Sequence, residues 1–343
     1  MNKPKIVILT PVKDEAWILG RFLLAASEVA DHILVLDQQS EDESRAICAR
    51  FPKVVVIDNP GGDYSEAARS RLLLEGARKI FGPGNVLIAL DADEIISGNS
   101  LHSNAWDSFR DLPHGTVLYF EKPEMLPHPA RCIRQTNWFP LGLVDDGAPH
   151  EGKVIHSHRL PVRAGALSFF AADICAMHFA RLRPVEFAVR QAYYCMLENV
   201  NRTRTHRVRS CCYSPLVFTR FGDGKSDCCP KEWFDWFEAK GVDLWSYETK
   251  RYNTFHIRAL RLFAEHRSTR FTWDDIWWED WEAARRYFYA QNIQGIPDKP
   301  LRRPTRFVQF LTLQMVRFYL MSSKMATLIR SFIVVQYKPV MHV

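Results

Sequence analysis

Through the first third of the chain, short apolar runs alternate with longer stretches in which apolar residues recur every three or four positions. KIVILTPV (5–12), HILVLD (32–37), KVVVID (53–58), NVLIALD (85–91) and GTVLYFEK (115–122) each predict a strand. Between the first two, Trp17, Ile18, Phe22, Leu23, Ala26 and Val29 share one face of a helix expected over 14–30. A short helix is expected over 41–51, opening with acids that complement its dipole. Another is expected over 65–81, with Ser65 placed to cap it. A weaker helical pattern covers 103–110. Strands that are apolar throughout belong to a sheet covered on both faces. The expected class is therefore α/β, with a mostly parallel sheet flanked by helices.

Beyond residue 122 the alternation fades. Residues 123–180 are rich in Pro, Gly and His and read as loops that shape a substrate site, apart from a short strand ending at His178. A helix is expected at 184–200, with Pro184 in its first turn. Residues 201–300 are aromatic and charged, with a helix across WDDIWWEDWEAARRYFYAQ (273–291), and an apolar tail covers 305–335. The expected organisation is four segments: 1–122, 123–200, a mainly helical extension at 201–300, and a basic amphipathic tail at 301–343.

Composition narrows this further. Apolar residues make up 47% and charged residues 24%, as in an ordinary folded protein with a sizeable core. The net charge of +6 is uneven: from Lys299 onward there are eight Lys or Arg and no acid. A basic end suggests an anionic surface, and the apolar tail interrupted by arginines suits a helix lying on a membrane. A helix docked on the main domain is the alternative. No signal peptide or membrane-spanning run is recognised, so a cytoplasmic location is expected, with the tail peripheral on the membrane. The eight cysteines are then thiols. The adjacent pairs Cys211–Cys212 and Cys228–Cys229 suit zinc poorly, because thiolates sharing one ion are usually separated by two residues or more.

In parallel sheets, ligands bind beyond the carboxyl ends of the strands. Those ends carry Pro11, Lys13, Asp14 and Glu15; then Asp37, Gln38, Gln39 and Ser40; then Asp58, Asn59, Gly61, Gly62 and Asp63; then Asp91, Asp93 and Glu94. Paired carboxylates leaving a strand suit a hard divalent cation, Mg²⁺ or Mn²⁺, especially one that also holds a diphosphate.

The stretch TPVKDEAWILGRFLLAASEVADHILVLDQQSEDES (10–44), followed by LDADE (90–94), resembles the family-2 glycosyltransferases of the GT-A fold. The likeness is specific over residues 5–122 and loosens to about residue 200. Two departures are mild: family members often carry Asn where this chain has Asp14, and Gly where it has Glu43. The resemblance implies a GT-A (Rossmann-like) sheet with a helical C-terminal extension. Residues 1–122 would bind the nucleotide sugar and 123–200 would form the acceptor and catalytic half. It also implies a divalent metal and transfer with inversion to a glycan or lipid-linked acceptor, as in surface polysaccharide synthesis.

By the same resemblance, Pro11, Val12 and Glu15 would line the nucleoside pocket, with Asp37 reading the base and Ser40 nearby. Arg69, in preference to Arg71, would approach the diphosphate. Asp91 would face the ribose or the metal, Asp93 would be the main metal ligand, and His178 would complete the metal shell. The general base would come from Asp145, Asp146 or Glu151, with Glu151 favoured and Asp146 next. A sugar nucleotidyltransferase needs a Gly-rich loop after the first strand, where this chain reads TPVKDEAW. A dehalogenase-like phosphatase needs its D-x-D-x-T at the same place, and it is absent. A catalytically inactive nucleotide-sugar-binding or scaffold protein is the non-enzyme alternative. No nucleic-acid partner is expected, because a basic tail alone does not account for acids at strand ends.

Overall fold

The computed structural model describes residues 3–59, 61, 65–134, 137–152, 154, 156–217 and 226–334, with side chains as far as 322. Gly62 and Asp63 of the third strand end, and Lys324 and Arg330 of the tail as side chains, lie outside the described residues. The chain divides into two compact units. One comprises Met1–Leu182 and Lys225–Glu248; the other comprises Arg183–Gly224 and Thr249–Val343. The 123–200 and 201–300 segments expected from the sequence are therefore each shared between both units.

The first unit is built on the expected alternation: β1 (Ile6–Val12), α1 (Ala16–Val29), β2 (His32–Asp37), α2 (Ser44–Cys48), β3 (Val54–Asp58), α3 (Glu66–Phe81) and β4 (Val86–Ala89). Strands β1 to β4 are parallel, in the order β3-β2-β1-β4. Their apolar residues feed two buried clusters, one on each face: Ile6, Ile8 and Val35 on the side of α1, Val7, Leu9 and Leu34 on the side of α3. Ser65 caps α3, its side chain accepting from the Ala68 amide at 3.2 Å.

Past β4 the sheet continues with β5 (Glu94–Ile96), α4 (Ala105–Ser108), β6 (Val117–Glu121), β7 (Glu124–Met125), β8 (Arg131–Ile133), β9 (Phe139–Val144), β10 (Ser168–His178) and β11 (Asp227–Cys228). The full order is β11-β8-β7-β10-β6-β9-β4-β1-β2-β3, with β5 paired to β10. Strand direction is mixed here, because β9 runs antiparallel to both β4 and β6. The sheet expected to be mostly parallel is so throughout β1 to β4, while beyond β4 parallel pairs of β10 with β6 and β7 alternate with antiparallel ones. The stretch 123–180, expected as loops around one short strand, supplies four strands. Gly142 sits at the centre of β9, where a Cβ would lie 2.8 Å from both Ile88 and Leu118, so this strand needs glycine to fit between β4 and β6.

The second unit is helical: α5 (Pro184–Asn201), α6 (His206–Tyr213), α7 (Thr254–His266), α8 (Trp281–Ala290) and α9 (Arg306–Val334). Helix α5 packs on α6 and α7, α8 packs on α7, and α9 packs on α6. The helix expected across 273–291 begins only at Trp281, because the Asp280 side chain accepts from the Ala283 amide at 3.0 Å and caps it there. Trp277 and Trp281 are buried, with their indoles donating to the carbonyls of Phe271 and Ile276. They belong to the core of this unit. No helix among the described residues is long and apolar enough to cross a membrane.

Candidate functional site

The loops after β1 and β2 lock onto each other. The Asp14 amide donates to Ser40 Oγ at 3.1 Å, and the Glu41 amide donates to Asp14 Oδ1 at 2.8 Å. Helix α1 has no side-chain cap of its own. Its first amides are satisfied from the neighbouring loop instead: Glu15 N donates to Ser44 Oγ at 3.0 Å and Ala16 N to Asp42 Oδ2 at 2.9 Å. The D-x-x-S-x-D-x-S pattern at 37–44 therefore holds the start of α1 in place, which answers the question of where those orphan donors go. Asp14 and Gln39, at φ 57° and 61°, take the left-handed conformation that lets both loops turn sharply.

Asp37 ends β2 almost wholly buried. It accepts from Arg45 Nε at 2.7 Å and from the Ser40 amide at 3.2 Å, and Arg45 also reaches Asp58. Pro11 is half-buried at the end of β1, but Val12 is 0% exposed and its side chain lies in the core beside α1. Its expected place in a nucleoside pocket is corrected accordingly: β-strand alternation turns it inward. The Glu15 carboxylate accepts from the Trp17 indole at 2.6 Å.

The acids after β4 form the densest charged cluster of this edge. Glu94 is 0% exposed and accepts from Lys122 Nζ at 3.0 Å, from Arg159 Nη2 at 2.9 Å, and through its second oxygen from Arg159 Nη1 and the Asp91 amide. Arg159 Nη2 also donates to Asp91 Oδ2 at 2.6 Å, and its Nη1 to the Ala89 carbonyl at 3.1 Å. Burial by itself would push the Glu94 carboxyl up, but Arg159 and Lys122 hold it well below the usual carboxylate range. Burial likewise disfavours the Arg159 cation, but Asp91 and Glu94 outweigh it and raise its pKa. Arg69, on the first turns of α3, lies 3.7 Å from Asp91 Oδ1, whereas Arg71 is exposed on another face. Asp91 Oδ1 is buried and has no hydrogen-bond partner among the described residues.

Asp93 and His178 come together because β10 ends beside β5, with His178 opposite Glu94 and the Phe179 amide donating to the Asp93 carbonyl at 2.8 Å. His178 Nε2 stands 3.6 Å from Asp93 Oδ1, and Nδ1 is 2.8 Å from Glu124 Oε1. Burial lowers the His178 pKa, but Glu124 and then Asp93 outweigh it, bringing it up to about 9. Glu124 is held below the usual range: burial raises it, and His178 more than compensates.

Among the described residues, no group of three or more His, Cys, Asp or Glu side chains is gathered for a metal. A divalent cation that keeps several waters and also holds a diphosphate needs only one or two protein ligands. Asp93 Oδ1 and His178 Nε2 fit that set. The Glu124 carboxylate behind the imidazole stands where an outer-shell partner would orient a ligating histidine. Asp91 Oδ1 is a buried oxygen still able to accept.

The two base candidates separate cleanly. Strand β9 pairs with β4 in the register Val86↔Val144, and the Asp145 amide donates to the Asn85 carbonyl at 2.9 Å. Asp145 and Asp146 therefore lie at the amino edge of β4, roughly 20 Å from Asp91 by strand rise. There Asp145 is clamped by Arg78 Nη2 at 2.6 Å and Asp146 pairs with Arg163. Burial raises the Asp145 carboxyl, but the Arg78 bond lowers it further. The expected role of Asp146 as base is corrected: an antiparallel strand delivers it to the wrong edge.

From there the chain runs back along α3. The Ser157 amide donates to Glu66 at 3.1 Å, and a Cβ on Gly152 would stand 2.9 Å from the Cβ of Ala67. Glu151, beside that glycine and exposed, is thus at the start of α3, the end that carries Arg69. Arg159 then closes the segment onto Asp91. It carries no motif in the sequence, and neither do Lys122 and Glu124.

No protein-family model and no curated protein sequence matches the chain. Among solved structures it is similar to S. aureus TarS 1–349 in complex with UDP, at 12% identity and a TM-score of 0.34, over 85% of this chain and 88% of that one. It is also similar to glucosyl-3-phosphoglycerate synthase from Mycobacterium tuberculosis in complex with phosphoglyceric acid, at 18% identity and 0.22, over 27% of this chain and 34% of that one. A mycobacterial protein matches at 16% identity and 0.28, over 37% of this chain. The chain spans 43% of that protein's length, so with the synthase it covers less than half of two of the three neighbours.

Proposed function

We propose that the chain is a glycosyltransferase that takes a nucleotide sugar at the carboxyl edge of β1–β4, with a divalent cation, and transfers the sugar with inversion to a glycan or lipid-linked hydroxyl. One observation carries this reading. The strand order β3-β2-β1-β4 reverses at β1, and the cluster of Asp91, Asp93, Arg69, Arg159 and His178 lies beyond the end of β4, beside that reversal. The crevice at such a reversal is where open α/β sheets bind nucleotides.

In this reading Glu15, Asp37 and Ser40 hold the nucleoside end, with the Pro11 backbone beside them. Arg69 and Arg159 present guanidinium donors to the diphosphate, exchanging part of their contact with Asp91 for phosphate oxygens. Asp93 and His178 would hold Mn²⁺ or Mg²⁺, with Asp91 beside them, and the ion would supply a Lewis acid for the leaving diphosphate. Glu151 takes the proton of the acceptor hydroxyl as that oxygen attacks the anomeric carbon. The bond from that carbon to the diphosphate oxygen breaks, and the nucleoside diphosphate leaves. Residues 123–200 contribute the acceptor side.

The tail contributes a membrane contact. Phe307, Phe310, Phe318 and Met321 of α9 are exposed, with Arg306 and Arg317 among them, while Thr312 and Val316 are buried. That stripe supports a chain lying against an anionic, cytoplasmic-facing membrane surface. Nucleotide-sugar turnover that depends on Mn²⁺ or Mg²⁺, and is lost in Glu151→Gln while donor binding persists, tests the assignment. Donor binding without turnover in the unaltered chain would favour the inactive binding protein instead.

A further inference from the structure

In the helical unit, a cavity of about 350 Å³ opens where α5 ends and α6 begins, lined by Asn199, Arg202, Arg204, Thr205, Arg209 and Arg270. Four of these residues are arginines. Two are matched by acids: Arg209 donates to Asp274 Oδ1 at 2.9 Å, and Arg204 lies 3.3 Å from Glu198 Oε1. The other two are not. Arg270 spends its donors on the carbonyls of Asn199 and Val200, at 3.0 and 3.3 Å. Arg202 takes part in no ion pair among the described residues, and its left-handed backbone, φ 51°, ends α5 at the rim. Neither Arg202 nor Arg270 therefore has an acidic partner among the described residues.

A second feature belongs to Arg209, which is also on the lining. Arg209 is 8% exposed, and its Nε is buried without a hydrogen-bond partner among the described residues, although its two terminal nitrogens are engaged by Arg204 O and Asp274 and the Cys195 thiol lies beside its side chain. A native fold rarely leaves such a donor unsatisfied. Thr205, on the lining, caps α6, so the positive end of that helix dipole also faces the cavity.

We propose that this cavity binds the phosphate group of a phosphorylated ligand. Two arginines without an acidic partner among the described residues, beside two more arginines and a helix start, match a dianion with several acceptor oxygens. A carboxylate would neutralise only one of the two charges. Arginine forks match phosphate geometry, and a helix N-terminus is a ready anion site. The site belongs to the helical unit and draws on none of the strand-end acids, so it stands or falls separately from the donor reading.

The test is calorimetric titration of the whole chain with inorganic phosphate, in chelator so that no divalent cation contributes. Saturable binding of one phosphate is expected, weakened about tenfold or more in Arg202→Ala/Arg270→Ala, the loss anticipated for charge-assisted hydrogen bonds. Arg202→Ala alone, which disturbs no ion pair among the described residues, should move affinity in the same direction and guards against misfolding of the double variant. Asp93→Ala should bind phosphate as the unaltered chain does. No saturable binding, or equal affinity in the arginine variants, overturns the proposal. Flotation with phosphatidic-acid vesicles separates the sources. Capture reduced by the double substitution points to a lipid headgroup, and capture unaffected by it, with phosphate affinity still reduced, points to a soluble phosphate ester.

Discussion

Arg159 holds two of the three acids that follow the fourth strand. Asp91 and Asp93 were legible as paired acids at a strand end, because a strand end followed by D-x-D is a local pattern. Arg159 was not, since its place depends on a segment that leaves the opposite edge of the sheet and returns along α3. Glu94 changes meaning with it: fully buried between Arg159 and Lys122, it anchors the turn. Removing one partner of a buried pair leaves a charge uncompensated. Arg159→Ala should therefore lower the urea-unfolding free energy by about 3 kcal/mol, a much larger loss than from Arg71→Ala on the exposed face of α3. His178 was legible as the end of a strand, whereas its carboxylate partner Glu124 was hidden in a two-residue strand.

At the scale of elements, β1 to β4 and α1 to α3 were readable because each carries its own periodicity and its own boundary signal. Strands β7 to β9 were not, since two of them have only two or three residues and β9 owes its place to a glycine between neighbours, and of β10 only the end at His178 was read. Gly142→Ala should cost roughly 1–3 kcal/mol through overpacking, read as a lower melting temperature. Helix α8 started later than its aromatic pattern suggested, because a cap outranks periodicity. Just before it, Glu279 is paired with Arg251 and lies 3.8 Å from His256. Burial raises its carboxyl, but the His256 and Arg251 contacts bring it from 4.5 down to about 2. A depressed carboxyl stabilises the fold above the unfolded pKa, and that contribution fades as pH falls from about 4.5 to about 2. Acid titrations followed by circular dichroism should show Glu279→Gln less stable than the unaltered chain at neutral pH. The gap should close toward pH 2; a gap constant across that range would remove Glu279 from the account.

For the whole molecule, the two-unit division was not readable, because residues 225–248 rejoin the sheet unit after a helical excursion and contact across such a gap leaves no local trace. The tail was readable in part. It packs on α6 through Tyr319 and Ser322, within the helical unit rather than as the expected dock on the main domain, and it still exposes a phenylalanine stripe. Phe310→Ser/Phe318→Ser should reduce flotation with anionic vesicles severalfold without changing the melting temperature, and undiminished flotation would exclude the stripe. The central claim concerns the strand-end cluster, and a bound donor must raise the stability of the chain by mass action. The most direct measurement is a thermal-shift panel of nucleotide sugars with and without Mn²⁺, on the unaltered chain and Asp93→Ala. The account predicts a shift for at least one nucleotide sugar that requires Mn²⁺ and disappears in the variant. The same shift without the ion, or intact in Asp93→Ala, would contradict it.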